Sequence, residues 1–256
     1  MKKGLKITLI SLLSLIGLVL VGIGILLCTV FSPSRLTKVV NQEAPRFITC
    51  DFDLKKADLT FFRTFPKIGI DLHDLTLSNP MYGAPSDTLL HVKHCTAAIN
   101  IRELLKNSNI VVNNFYLKDG TANLYINPEG KNNFSVFKTD TTEAPSEFNY
   151  GLNLHKVETD NINVNYTDRQ TKIMADLKEL DIAAKGKMQD KDIDGKIKLS
   201  TAAFDFKTLD SNQLHANYEK LKFNFDGSLA DMNDVDGNLE LDIRQLALQN
   251  GTEKYL

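Results

Sequence analysis

Apolar residues follow two unlike rhythms along this chain. From Ile7 to Phe31 the run is continuous: 17 of 25 residues are Leu, Ile, Val or Phe, none is charged, and Lys2, Lys3 and Lys6 precede it. At 1.5 Å of rise per residue this predicts a helix of roughly 37 Å, enough to cross a hydrocarbon core of about 30 Å. The run is far longer than the apolar part of a cleaved signal. It leaves through Cys28-Thr29-Val30-Phe31, not through a small-residue cleavage site, so it reads as a retained single-pass anchor. Leu27 ahead of Cys28 is the wrong neighbour for a lipidated cysteine. The lysines of residues 1–6 place the N-terminus in the cytoplasm and the bulk of the chain across the membrane.

Past the anchor the rhythm changes. Ser32-Pro33 supplies a helix cap and a first-turn proline, and Leu36, Val39 and Val40 follow at helical spacing. A short amphipathic helix ending near Pro45 is predicted. Thereafter the period is two. Ile70 and Leu72, then Leu75 and Leu77, alternate with polar residues, and the phase slips by one at His73-Asp74, which predicts a β-bulge. Asn79-Pro80 ends that strand. Asn100 and Glu103 around Leu104-Leu105 predict a second, one- or two-turn helix. Ile110–Val112, Phe115–Leu117 and Leu124–Ile126 read as antiparallel strands, with turns at Asp119-Gly120 and Pro128-Glu129-Gly130.

Residues 138–148 are polar and aperiodic, and are expected to be a linker or long loop between a domain over 32–137 and a continuing meander over 149–256. In that second part Leu152/Leu154, Ile162/Val164/Tyr166, Ile197/Leu199, Leu221/Phe223/Phe225 and Leu239/Leu241/Ile243 alternate with Asn, Lys, Asp, Glu and His. Each strand therefore has one apolar and one polar face. Turns are expected at Asp226-Gly227, Asp236-Gly237 and Asn250-Gly251. The fold class is mainly β: a transmembrane helix and a short amphipathic helix, then a long, antiparallel, curved, groove-like meander with one or two short helices.

Composition narrows the function. Beyond residue 31 there are 27 basic and 32 acidic side chains without a basic cluster, so nucleic acid is not an expected partner. Cys50 and Cys95 would meet an oxidising compartment, where a disulfide or two isolated thiols are both open. No nucleophile elbow or glycine-rich phosphate loop occurs, and no enzyme, cofactor or catalytic residue is expected. His91, His94 and Cys95 have metal-ligand types, but an i, i+3 pair on a regular strand projects to opposite faces, so no metal site is expected there. Asp190, Asp192 and Asp194 lack the twelfth-position glutamate of a calcium loop and read as solvated turn residues.

The segment from Phe65 to Pro80 (FPKIGIDLHDLTLSNP) resembles the signature of the AsmA family of envelope proteins. The similarity extends to the anchor, to Ala57-Asp58-Leu59-Thr60 with Phe61-Phe62, and to Ile101–Leu105. It continues through Leu117-Lys118-Asp119-Gly120 and Leu124-Tyr125-Ile126 to Gly130-Lys131-Asn132-Asn133-Phe134. Phe134 stands where the family usually has tryptophan. The resemblance is strongest over residues 1–137. It implies a bacterial inner-membrane protein anchored through Ile7–Phe31, with a β-rich periplasmic part related to bridge-like lipid-transfer proteins. Such proteins usually run several hundred residues further, so a fragment or truncated form is an expectation.

The expected function is thus support of phospholipid transport and outer-membrane biogenesis by non-catalytic contact with acyl chains. Leu221, Phe223, Phe225, Leu239, Leu241 and Ile243 are the first candidates for a lipid groove, followed by Leu152, Leu154, Ile162 and Val164. Phospholipids and envelope proteins are the expected partners. The rival is an assembly factor for envelope proteins with an ordinary closed β core, since any half-buried sheet shows the same alternation. A carbohydrate-binding module is least supported in a chain with no Trp.

Overall fold

The computed structural model describes residues 32–46, 48–60, 68–99, 109–136, 138, 149–189, 192–209, 214–230, 234–251 and 253–254. The anchor expected over Ile7–Phe31 and the second short helix near Asn100–Leu105 lie outside them. Among the described residues no helix is long and apolar enough to cross a membrane.

Helix α1 (Pro33–Glu43) starts where the sequence places it. Pro33 occupies the first turn, and the Ser32 carbonyl accepts bonds from the Arg35 and Leu36 amides, each 3.0 Å. A 3-10 turn at Ala44–Arg46 containing Pro45 ends it, because proline cannot donate the next helical bond. Leu36 is buried with Val40 beside it against the sheet, and Thr37 Oγ1 accepts a 2.9 Å bond from the Ala57 amide. The amphipathic stripe is thereby spent on the first strand.

Ten strands lie in chain order in one unclosed sheet. They are β1 (Phe52–Thr60), β2 (Ile68–Ser78), β3 (Thr88–Ile99), β4 (Asn109–Ile126), β5 (Asn149–Asp168), β6 (Ile173–Gln189), β7 (Asp192–Thr208), β8 (Leu214–Ala230), β9 (Asp234–Asn250) and β10 (Glu253–Lys254). Every neighbouring pair is antiparallel except β4 and β5, which run parallel from Asn109↔Asn149 to Ile126↔Asp168. The expected all-antiparallel meander is therefore corrected to a mixed sheet. A parallel pair needs a connection that returns along the strands, and the polar stretch 138–148 belongs to that connection.

A second correction concerns three expected turns. Asp119-Gly120 lies inside β4, Asp226-Gly227 inside β8 and Asp236-Gly237 inside β9. The glycines are there because backbones approach too closely for a side chain. A Cβ on Gly227 would sit 2.2 Å from the Asp236 carbonyl oxygen, and one on Gly120 2.4 Å from that of His91. Gly186, Gly195, Gly227 and Gly237 are successive cross-strand partners and form one row across β6–β9. The Asn250-Gly251 turn does form, with Gly251 at φ 60°.

The bulge expected at Asp74 belongs to a larger feature. Asp74, Asp119, Asn161, Glu179, Lys220 and Gln245 all have positive φ and sit in mid-strand at nearly the same level of the sheet. At that level the apolar positions step by three instead of two: Leu54 to Ala57, Leu72 to Leu75, Val92 to Cys95, Leu117 to Gly120, Leu241-Ile243 to Leu246. Because neighbouring strands slip together, their apolar residues stay opposite one another, as in Leu72↔Cys95, Cys95↔Leu117 and Phe223↔Leu241. One continuous apolar face spans β1–β9.

At one end of that face Leu36, Leu54, Ala57, Leu75, Val92, Cys95 and Ile162 form a core, with Val164 packed against it. The segment after β4 closes a second cluster of Cys50, Leu89 and Val136. There Asn133, 1% exposed, accepts a 2.8 Å bond from the Tyr125 amide and donates a 2.9 Å bond to the Asn123 carbonyl. Cys50 and Cys95 are free thiols in separate clusters.

Candidate functional site

The candidate site is the part of the apolar face that nothing in the described structure covers. Ile197 and Leu199 on β7, Leu221, Phe223 and Phe225 on β8, and Leu239, Leu241 and Ile243 on β9 meet directly across strands: Ile197↔Phe225↔Leu239, Leu199↔Phe223↔Leu241 and Leu221↔Ile243. The sheet thus brings the six first-ranked residues into one block. Leu239, Leu241 and Ile243 are 61, 56 and 37% exposed, and Leu246 is 40% exposed beyond the slip. Phe223 and Phe225 are half-buried under their neighbours.

The second-ranked residues sit elsewhere. Ile162 and Val164 belong to the covered core, and Ile162 is 4% exposed. Leu152 and Leu154 lie at the start of β5, with Leu152 opposite Val112; their side chains are outside the described structure.

The block extends further than the period-two reading found. Leu177, Leu180 and Ile182 of β6 and Phe204, Phe206 and Tyr218 of β7 and β8 share the face through Leu177↔Phe204↔Tyr218 and Ile182↔Leu199. Phe204 and Tyr218 stack with centroids 5.1 Å apart, and the buried Thr201 hydroxyl donates to the Tyr218 oxygen at 3.1 Å. Their spacing, 177, 180, 182, carries the same three-residue step as β1 and β2. That step was the signal that could have located β6.

The opposite face is polar. Its larger recess, about 680 Å³, is lined by Glu158, Lys185, Lys196, Lys198, Asn224 and Glu240 among others, and a neighbouring one of about 390 Å³ by Asp160, Asp181, Ser200 and Lys222 among others. Salt bridges lace it: Lys118 to Asp160 at 2.5 Å, which holds the Lys118 ammonium above its ordinary pKa, and Lys196 to Asp226. Charged head groups crowd both recesses, although Ala183, Ala184, Ile197 and Phe225 also line the larger one. An apolar ligand would lie on the open face of β7–β9.

His91, His94 and Cys95 separate in the structure. Cys95 is 4% exposed in the apolar core, and burial pushes its thiol up to about 12. The phase slip returns both histidines to the polar face, which corrects the expectation that an i, i+3 pair must diverge. They nevertheless take different partners: His91 Nδ1 meets Thr76 Oγ1 at 2.9 Å, and His94 faces Asp71 and His73. Asp192 and Asp194 are strand residues of β7 paired to Gln189 and Lys187, not turn residues, and Asp190 lies outside the described structure.

Compared with known proteins, the chain matches the model of the AsmA family over residues 1–250, nearly its whole length. No curated protein and no solved structure gives a significant match.

Proposed function

Since this chain belongs to the AsmA family, we propose that it is an envelope protein, anchored in the inner membrane through Ile7–Phe31, that supports phospholipid transport and outer-membrane maintenance by holding acyl chains against its apolar face. Family membership is consistent with envelope and lipid-transport-related roles. The observation that carries the finer reading is the contiguous, uncovered block on β7–β9 centred on Phe223 and Leu241. Acyl methylenes laid on it are favoured by at most about 0.8 kcal/mol each, the value for one fully removed from water. A surface that is apolar throughout has few polar contacts to hold a lipid in one place, so sliding is easy and no catalytic residue is needed.

Neighbouring residues on β9 face opposite ways, which makes the test internal. A photoreactive phenylalanine analogue at Leu241 of the full chain in cells is expected to yield phospholipid adducts by mass spectrometry, and the same analogue at Glu240 none. Equal adducts at both positions would sink the lipid reading.

One observation favours the rival assembly-factor reading. Along β9 only Gln249 and Asn250 are paired outward, by β10, so within the described residues most of a 17-residue strand edge is open to strand addition. Protein-only adducts at Leu241 would support it.

A further inference from the structure

We propose that Asp71, His73 and His94 form a three-ligand binding site for a divalent transition-metal ion of the zinc class, with its remaining positions open to water. The three residues come from the adjacent strands β2 and β3 through the register His73↔His94, on the polar face and on the far side of the sheet from the core, with Asp58 of β1 opposite Asp71. His73 Nε2 lies 3.1 Å from Asp58 Oδ2 and 3.8 Å from Asp71 Oδ2, and His94 Nδ1 lies 3.4 Å from Asp71 Oδ2. One ligand atom each from Asp71, His73 and His94 falls within a 4.8 Å span. A tetrahedral ion with bonds of about 2.0–2.2 Å sets its ligands roughly 3.3–3.6 Å apart, and the two separations between Asp71 and the imidazoles, 3.4 and 3.8 Å, lie close to that value.

Three further observations point to a ligand. His94 Nδ1 is shielded from water and makes no hydrogen bond, although Asp71 Oδ2 lies 3.4 Å away. The buried Thr96 hydroxyl donates to Asp71 Oδ1 at 3.1 Å, which orients the carboxylate and leaves Oδ2 turned to both imidazoles. Outer-shell bonds of this kind are characteristic of metal-ligating carboxylates. Asp58 and Asp71 are also directly opposed like charges, an arrangement that destabilises a strand pair. The Lys56 ammonium, 2.7 Å from Asp58 Oδ2, offsets only one of them. A divalent ion held by Asp71 would relieve that opposition. The donor set of two imidazoles and one carboxylate suits zinc, nickel or copper, and not calcium or magnesium, which take oxygen ligands.

The test is equilibrium dialysis of the purified full chain in detergent against Zn²⁺, with metal counted by mass spectrometry. One Zn²⁺ per chain is expected, with Ca²⁺ and Mg²⁺ failing to compete at a hundredfold excess. Co²⁺ in place of Zn²⁺ is expected to give the intense visible bands of a tetrahedral site with nitrogen and oxygen ligands. His73→Asn and His94→Asn are each expected to weaken binding at least tenfold, and His91→Asn, three residues away on the same face, to leave it unchanged. Absence of stoichiometric Zn²⁺ in the unaltered chain would overturn the proposal without recourse to a variant. So would equal losses from His91→Asn and His94→Asn, which would mark scattered surface binding.

Discussion

The two ends of one apolar face have different fates. Over β1–β5 it is covered, and Val92 and Ala57 are fully buried beneath neighbours that include Leu36 of α1. At the far end Leu239, Leu241 and Ile243 of β9 are 61, 56 and 37% exposed and Ile197 of β7 39%, while Phe223 and Phe225 of β8 are half-buried. The alternation is the same in both regions and so are the residue types. What differs is the cover: α1 lies on β1, and no described element lies on β8 or β9. Strand patterning therefore decides which side of a sheet is greasy, and the connections decide whether that side becomes core or surface.

The sharpest way to break this contrast is to place one charge in each region. Val92→Asp would bury an unpaired carboxylate, at a cost of several kcal/mol, and the protein is expected to lose its cooperative unfolding transition. Leu241→Asp, in the open region, is expected to shift chemical-denaturation stability by less than about 1 kcal/mol while abolishing lipid adducts at a neighbouring probe. Equal destabilisation by both would mean that β9 is covered in the folded protein, and the open face would be lost as a site.

Within the covered region the next largest effect is expected at Asn133. Asn133→Ala strands the Tyr125 amide and the Asn123 carbonyl, at about 1–3 kcal/mol for each unsatisfied group. Chemical denaturation measures the sum. A loss below about 1 kcal/mol would show that water replaces the side chain and that the segment after β4 is not a plug.

Asp168, at the junction of β5 and β6, should show a smaller and pH-dependent effect. Its Oδ1 accepts the Gln170 and Thr171 amides at 2.8 and 2.9 Å, and Tyr166 donates to Oδ2. The Thr171 contacts lead in holding the carboxyl below its usual value of 3.8. A carboxyl lowered on folding adds stability that is complete above its unfolded pKa and is lost as pH falls through the folded one. Asp168→Asn keeps an acceptor for the amides but does not titrate, so it is expected to flatten the acid limb of the stability–pH curve below about pH 4. An unchanged acid limb would assign that limb to other carboxylates.

Much of this was legible from residues alone. Ser32-Pro33 and Pro45 bracketed α1, the slip at His73-Asp74 was visible in the phase of Ile70, Leu72, Leu75 and Leu77, and the block on β8–β9 followed from plain alternation. Two of the misreadings, at β4 and β6, share one cause, while the turns expected at Asp226-Gly227 and Asp236-Gly237 are strand glycines that let backbones approach. A three-residue step flanked by Asp-Gly looks like the end of one strand and the start of another, so β4 was divided at Asp119-Gly120 and β6 escaped notice. Only register distinguishes a slip that neighbouring strands make together from a turn, and register is not a local property. The parallel β4–β5 pair and the meeting of His73 with His94 were hidden for the same reason, since both depend on which strand lies beside which.

The smallest effects test whether the slip is a built feature. Asp74 adopts φ 50° and pairs with Lys55 at 3.0 Å, both side chains being well exposed. Asp74→Gly relieves the left-handed backbone but loses a surface ion pair and loosens the unfolded chain, so its net effect is expected within about 0.5 kcal/mol. Asp74→Val forces a β-branched residue into that conformation and is expected to cost about 1–2 kcal/mol. Gln245, at φ 53°, is the counterpart in the open region. Beyond it Leu246 packs less tightly than Leu75 does beyond Asp74, so the strand can relax its phase without unburying a core. Gln245→Val should therefore cost less than Asp74→Val when both are measured by chemical denaturation. If the two valine variants cost the same, the slip is set by strand geometry alone and owes nothing to what covers the face.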